Sequence, residues 1–170
     1  MSGKTIISKE DMVSKIAALI RAREEEGSDL VIGARTDARA IEGFDKTIER
    51  TVAYARAGAD YVYVECPQSL PEVEHLVKAI EIPLAFNLIA GGKTPKFSLS
   101  ELERIGVKYI SIPMVCLYPA VKAMQDSLQA LKNWDLEKVG ELGINWSEFN
   151  DLIGVRKWRQ LEKEFGSGNP

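Results

Sequence analysis

The sequence predicts an α/β fold: a (β/α) half-barrel of four parallel strands, followed by C-terminal helices. Three observations carry that expectation. Short apolar runs begin near residues 30, 60, 83 and 108, spaced by one strand-plus-helix unit each. The first, Leu30-Val31-Ile32-Gly33-Ala34, is continuous rather than alternating, which suits a parallel strand covered on both faces. Each run ends in polar residues, and a (β/α) barrel builds its active face from the C-terminal ends of its strands. A closed barrel takes roughly 250 residues. This chain has 170, so four units make half a circle.

The elements follow in order. Ser8-Lys9-Glu10-Asp11 places a hydroxyl at a helix N-cap and a carboxylate three residues later. Met12, Ile16, Ala17, Leu19 and Ile20 continue as an apolar stripe, and Gly27 ends the helix. Arg21 and Arg23 before Glu24-Glu25-Glu26 read as a solvated face with opposite charges one turn apart. The first strand, 30–34, leads to a helix over 45–57. A second strand, 61–65, ends at the turn Cys66-Pro67.

Ser69-Leu70-Pro71-Glu72 opens the next helix, with proline where its missing N–H does no harm. The third strand is 83–87. After a Gly-rich loop, Ser98-Leu99-Ser100-Glu101 caps a short helix ending near Gly106. The fourth strand is 108–113, and a helix over 119–133 follows. Residues 1–133 are thus expected to form the half-barrel, and 134–170 a helical tail with pieces near 147–153 and 155–164. Phe149, Leu152, Ile153, Trp158 and Leu161 are too apolar for a loose tail, so a cover in this subunit or a neighbour is expected. Right-handed crossovers put the helices on one side of the four strands, leaving the other side open.

Composition narrows the function classes. Lys and Arg number 22 against 25 Asp and Glu, a net charge of −3 that gives no broad attraction to nucleic acid or an anionic membrane. Aromatics are not interleaved with basic residues, which argues further against nucleic-acid recognition. No apolar run nears membrane-spanning length, and the first five residues lack the apolar segment of a secretory signal. Cys66 and Cys116 make neither a disulfide framework nor a four-ligand metal site; packing cysteines in a reducing cytoplasm are expected, with an organelle matrix also open. His75, the one histidine, falls on a helix beside Val73, Leu76 and Val77 and reads as a solvent-edge residue.

Arg35, Glu65 and Asn87 fall at the ends of successive strands, so three distant positions converge on one face. Arginine offers a planar fork for a carboxylate. Glutamate can act on a proton or orient a metal's water, and asparagine both donates and accepts. Surface ion pairing is the plainer reading of each. Gly91-Gly92-Lys93-Thr94 suggests a phosphate loop, but the GxxxxGK[ST] pattern needs glycine where Asn87 stands. Nucleotide binding is therefore rejected; those glycines suit a loop that folds over a small acid.

Ala34-Arg35-Thr36-Asp37-Ala38 with Glu42-Gly43, then Gly58-Ala59-Asp60 and Val64-Glu65, then Asn87 and Gly91-Gly92-Lys93-Thr94-Pro95, stand in order and at spacing that resembles the isocitrate lyase and phosphoenolpyruvate mutase superfamily. The resemblance continues to Asn150-Asp151-Leu152-Ile153-Gly154 and looks closest to its methylisocitrate-lyase-like, mutase and oxaloacetate-hydrolase-like branch. It implies the second half of a TIM-type barrel that binds Mg²⁺ or Mn²⁺ and a small α-keto or hydroxy di- or tricarboxylic acid. Bonds are broken or formed there next to an enolate. It further implies that Arg35 contacts the substrate carboxylate or oxyanion and that Glu65 holds the metal's water shell. Asn87 would hydrogen-bond substrate, and Thr94 and Pro95 would shape the carboxylate end of the pocket.

The metal-anchoring aspartates, the serine and glycine substrate site and the loop carrying the acid-base cysteine belong to the family's other half and do not occur in these 170 residues. Neither Cys66 nor Cys116 matches that loop. The expectation is a chain incomplete on its own, partnered by a missing N-terminal half or by copies of itself. The alternative is a noncatalytic half-barrel that self-associates into a structural or weakly carboxylate-binding homo-oligomer.

Overall fold

The structure, a computed structural model, describes residues 3–89, 91–92 and 94–166. It forms two compact units, Met1–Val115 and Cys116–Pro170. In the first unit the order is α1 (Lys9–Glu25), β1 (Gly33–Thr36), α2 (Ala38–Ile41), α3 (Phe44–Arg56), β2 (Tyr61–Val64), α4 (Leu70–Ala79), β3 (Leu84–Asn87), α5 (Leu99–Arg104) and β4 (Tyr109–Ser111). The second holds α6 (Leu117–Lys132), α7 (Leu136–Glu141), α8 (Trp146–Leu152) and α9 (Val155–Phe165). The expected half-barrel is present: one sheet of four parallel strands in the order β1-β2-β3-β4, not closed into a barrel.

Local signals set the helix starts. Ser8 Oγ accepts the Asp11 N–H at 3.0 Å, and Ser69 Oγ accepts that of Glu72. Ser98 and Glu101 form a reciprocal capping box. At α4 the reciprocity fails: Glu72 accepts the Gln68 N–H and bonds Arg39, so it ties α2 to α4 as well. The Arg21–Glu25 pair is the expected surface contact, whereas Arg23 turns inward to Asp60 and the Leu30 carbonyl.

Alternation along the strands sorts the two sheet faces. Ala34, Val62, Val64, Leu84 and Phe86 point toward the helices and join Ile16, Tyr54, Val73, Leu76 and Leu102 in one core. Gly33, Arg35, Tyr61, Tyr63, Ala85, Asn87, Tyr109 and Ser111 occupy the other face, where Gly33 pairs with Tyr61, Arg35 with Tyr63 and Asn87 with Ser111. Tyr61 lies flat across Gly33: a Cβ there would come within 2.1 Å of the phenol ring. Tyr61 also meets Tyr109 edge-on at 5.7 Å. Under α3, Arg50 is buried and holds Glu42 through two bonds of 2.7 and 3.0 Å while donating to the Tyr54 hydroxyl.

Four details differ from expectation. Leu30 and Val31, read as strand, precede it and are 69% and 71% exposed, because pairing starts only at Gly33 and Asp60 takes the Ile32 N–H instead. Residues 38–41 and 136–141 are short helices that the sequence pattern left as connections. Cys116 is exposed rather than packed, since it stands at the cap position of α6. In the second unit Trp134, Trp146, Leu152 and Trp158 are exposed, so the apolar tail keeps open surface. Lys93 and residues 167–170 lie outside the described residues.

Candidate active site at the strand ends

The site starts from where β1 and β2 stop. The ladder runs one residue past β2, with the Glu65 N–H donating to the Thr36 carbonyl at 3.0 Å. That bond sets Glu65 beside the end of β1. Cys66 then turns the chain with φ 54°, a left-handed conformation unusual for a residue with a Cβ. Asp37 occupies the N-cap of α2 but makes no capping bond. Thr36 Oγ1 accepts the Ala38 N–H in its place, which frees the Asp37 carboxylate for other work.

That carboxylate gathers two cations. Arg35 donates from Nε to Asp37 Oδ2 at 2.8 Å and from Nη2 to Oδ1 at 3.1 Å, and Lys4 Nζ donates to the same Oδ1 at 2.5 Å. Arg35 Nη2 also stands 3.0 Å from Glu65 Oε2. The contact is ionic without being a directed hydrogen bond: Oε2 is buried and accepts no hydrogen bond among the described residues. The other oxygen, Oε1, takes the Cys66 thiol at 3.6 Å. The Tyr63 ring supports the guanidinium from its face, 5.3 Å from centroid to Cζ.

The electrostatics follow from those contacts. The hydrogen bond from Arg35 holds the Asp37 carboxyl below its ordinary value, with Lys4 adding to the effect against burial. The bond to Asp37 raises Lys4 and Arg35 in turn, so both stay charged. Burial, then the Glu65 charge, push the Tyr63 phenol up to about 12. Burial and Glu65 likewise raise the Cys66 thiol, while the nearby Thr94 side chain opposes the shift. A thiol so placed is a proton donor to Glu65, not a ready nucleophile.

Of the residues expected to act, Arg35 and Glu65 are in direct contact. Asn87 ends β3 two strands from Arg35 on the same open face, beside Ser111. Thr94 and Pro95 line a small recess of about 250 Å³ with Leu88, Ile89, Lys96 and Phe97, and the Thr94 side chain also reaches Cys66 beside Glu65. Sequence reasoning passed over Asp37, Tyr63 and Lys4. Period-two spacing could have found the first two, at i+2 from Arg35 and i−2 from Glu65 on a strand face. Lys4 carried no such signal, because its partner is 33 residues away. No group of three or more His, Cys, Asp or Glu able to hold a metal is found among the described residues.

Comparison with known proteins agrees with this arrangement of strands. The family model described as phosphoenolpyruvate phosphomutase matches residues 1–132. The chain is 40% identical to 2,3-dimethylmalate lyase of Eubacterium barkeri, over 99% of this chain and 58% of that protein. It is 34% identical to 2-methylisocitrate lyase of Aeropyrum pernix, over 96% of this chain and 52% of the relative. Oxaloacetate acetylhydrolase, solved with the inhibitor 3,3-difluorooxalacetate, superposes with a TM-score of 0.84 at 27% identity, covering 100% of this chain and 57% of that one. The chain therefore spans between half and three-fifths of the length of the proteins it matches. With the family model matched over most of its length and four parallel strands ending in the Arg35–Asp37–Glu65 group, this chain belongs to the isocitrate lyase/phosphoenolpyruvate mutase superfamily.

Proposed function

We propose that this chain supplies the second half of a lyase- or mutase-type active site that handles a small α-keto or hydroxy di- or tricarboxylic acid through an enolate. The observation that carries the reading is the group at the ends of β1 and β2. A half-exposed arginine fork is held in place by Asp37 and Tyr63 and faces a glutamate oxygen that lacks a donor. In this reading Arg35 takes the substrate carboxylate or the growing oxyanion by charge-assisted hydrogen bonds. Asn87 hydrogen-bonds the substrate, and Thr94 and Pro95 close the carboxylate end.

The residues present fit one role toward Mg²⁺ or Mn²⁺ and not another. Glu65 Oε2, buried and without a donor, suits an outer-shell water of a hard cation. The carboxylates needed for direct ligation are not grouped among the described residues. A divalent cation, when bound, would offset the negative charge of the enolate. Whole-enzyme turnover is assigned to an assembly that also carries the remaining barrel strands. Two free cysteines and chemistry on small acids favour the cytoplasm or an organelle matrix; among the described residues no helix is long and apolar enough to cross a membrane.

The test is calorimetry with oxalate, a planar enolate mimic, in the presence and absence of Mg²⁺. Saturable oxalate heat in the native chain, whether or not Mg²⁺ is added, and its loss in Arg35→Ala at a temperature where circular dichroism shows that variant still folded, are expected. Absence of heat above dilution at millimolar oxalate would sink the reading. A second reading, a noncatalytic half-barrel that pairs with itself, is favoured by the exposed Leu30, Val31 and Tyr109.

A further inference from the structure

In the arrangement just described Arg35 can offer an incoming carboxylate only Nη1; its Nε–Nη2 edge becomes available only through a change of partner. Its Nε and Nη2 both point at Asp37, and Nη2 also faces Glu65, so the edge of the fork best suited to a two-pronged contact is already taken. If Arg35 turned away, Asp37 would lose two charge-assisted bonds. Its side chain is only 17% exposed, so it would be left largely out of water and poorly compensated. Something else must hold that charge.

Lys4 is placed to do so. It reaches the site from outside the strand layer, ahead of α1, and donates to the same Asp37 oxygen that receives Arg35 Nη2. The cluster thus holds two cations and two carboxylates, Lys4 and Arg35 against Asp37 and Glu65. Arrival of an anion at Arg35 leaves Lys4 on Asp37, so the Asp37 carboxylate keeps a cationic partner. We propose that Lys4 is a positioning residue whose shared hold on Asp37 loosens the Arg35 fork, so that Arg35 can exchange Asp37 for an anionic carboxylate. This inference rests on the proposed carboxylate reading only for what Arg35 turns toward.

The exchange can be tested without ligand. NMR of arginine-labelled protein reads the rotation rate of the Arg35 guanidinium, with Arg35→Lys identifying the signal. Lys4→Met should slow that rotation about threefold, the scale of one partly exposed ion pair. Lys4→Arg should restore it. The same Lys4→Met chain should bind oxalate about threefold more weakly. Unchanged Arg35 rotation in Lys4→Met would overturn the inference even where the native chain binds oxalate, because Lys4 would then merely tether its segment. Faster rotation would overturn it too, showing that Lys4 fastens Arg35. A native chain that gives no oxalate heat overturns the proposed function, while the rotation measurement still decides the role of Lys4.

Discussion

At the scale of single residues, the site is a small charge-balanced cluster whose geometry comes from the backbone. Thr36 caps α2 so that Asp37 need not, and the Glu65 N–H extends the ladder so that its side chain meets Arg35. Tyr63 completes the cluster by stacking under the guanidinium. Its phenol, pushed up to about 12 by burial and Glu65, stays neutral in the folded chain where an exposed tyrosine ionises near 10. The unfolded chain then releases this proton first as pH rises, so the Tyr63 contribution to stability is intact below about pH 10 and is lost between about pH 10 and 12. Tyr63→Phe, which keeps the ring face and removes the proton, should show a shallower fall in unfolding free energy over that window. Urea unfolding of both proteins at matched pH values checks it, and identical slopes would refute the assignment. Arg35 and Glu65 were legible in the sequence because a charged residue at the end of an apolar run stands out. Asp37 and Tyr63 were not, since a carboxylate after a strand and an aromatic within one each have ordinary explanations. Only contact shows that both serve Arg35.

Elements were legible where a local signal was strong and unopposed. The capping hydroxyls of Ser8, Ser69 and Ser98 start their helices where the sequence places them. Strand starts were harder, because an apolar run does not say which of its residues finds a partner. Leu30 and Val31 look like the opening of a strand, yet β1 begins at Gly33, where the ladder to Tyr61 begins. The reason for glycine there is invisible in one dimension: the phenol of Tyr61 lies over its Cα and meets Tyr109 edge-on. Gly33→Ala should push that ring aside, lose the edge contact and lower stability by about 1–2 kcal/mol. In the Gly33→Ala/Tyr61→Leu double variant the obstacle is gone, so the two changes should cost less together than the sum of their separate effects. Strict additivity in urea unfolding would mean that Tyr61 does not set the need for glycine at this position.

The whole molecule poses a problem that neither residue nor element settles, namely what becomes of a half-circle of strands. A closed barrel has no edges and fills its interior with side chains from all round. Among the described residues β1 and β4 each have one strand neighbour, and the open face carries Tyr61, Tyr63 and Tyr109 between those two edges. Unpaired edges and exposed apolar side chains such as Leu30, Val31 and Ile112 favour pairing with another chain. Two half-circles related by a twofold axis would place β4 of one copy against β1 of the other at both seams, removing the edges and covering both faces at once. Sedimentation velocity across a wide concentration range should then show a monomer–dimer equilibrium, without the ladder of larger species expected from open-ended stacking. Val31→Glu should weaken the dimer about tenfold or more, because association would bury an uncompensated carboxylate. A strict monomer at every concentration would exclude closure by a second copy and leave the complementary half of the barrel as the partner that the sheet requires. A dimer indifferent to Val31→Glu would place the contact away from Val31 and the start of β1 that it precedes.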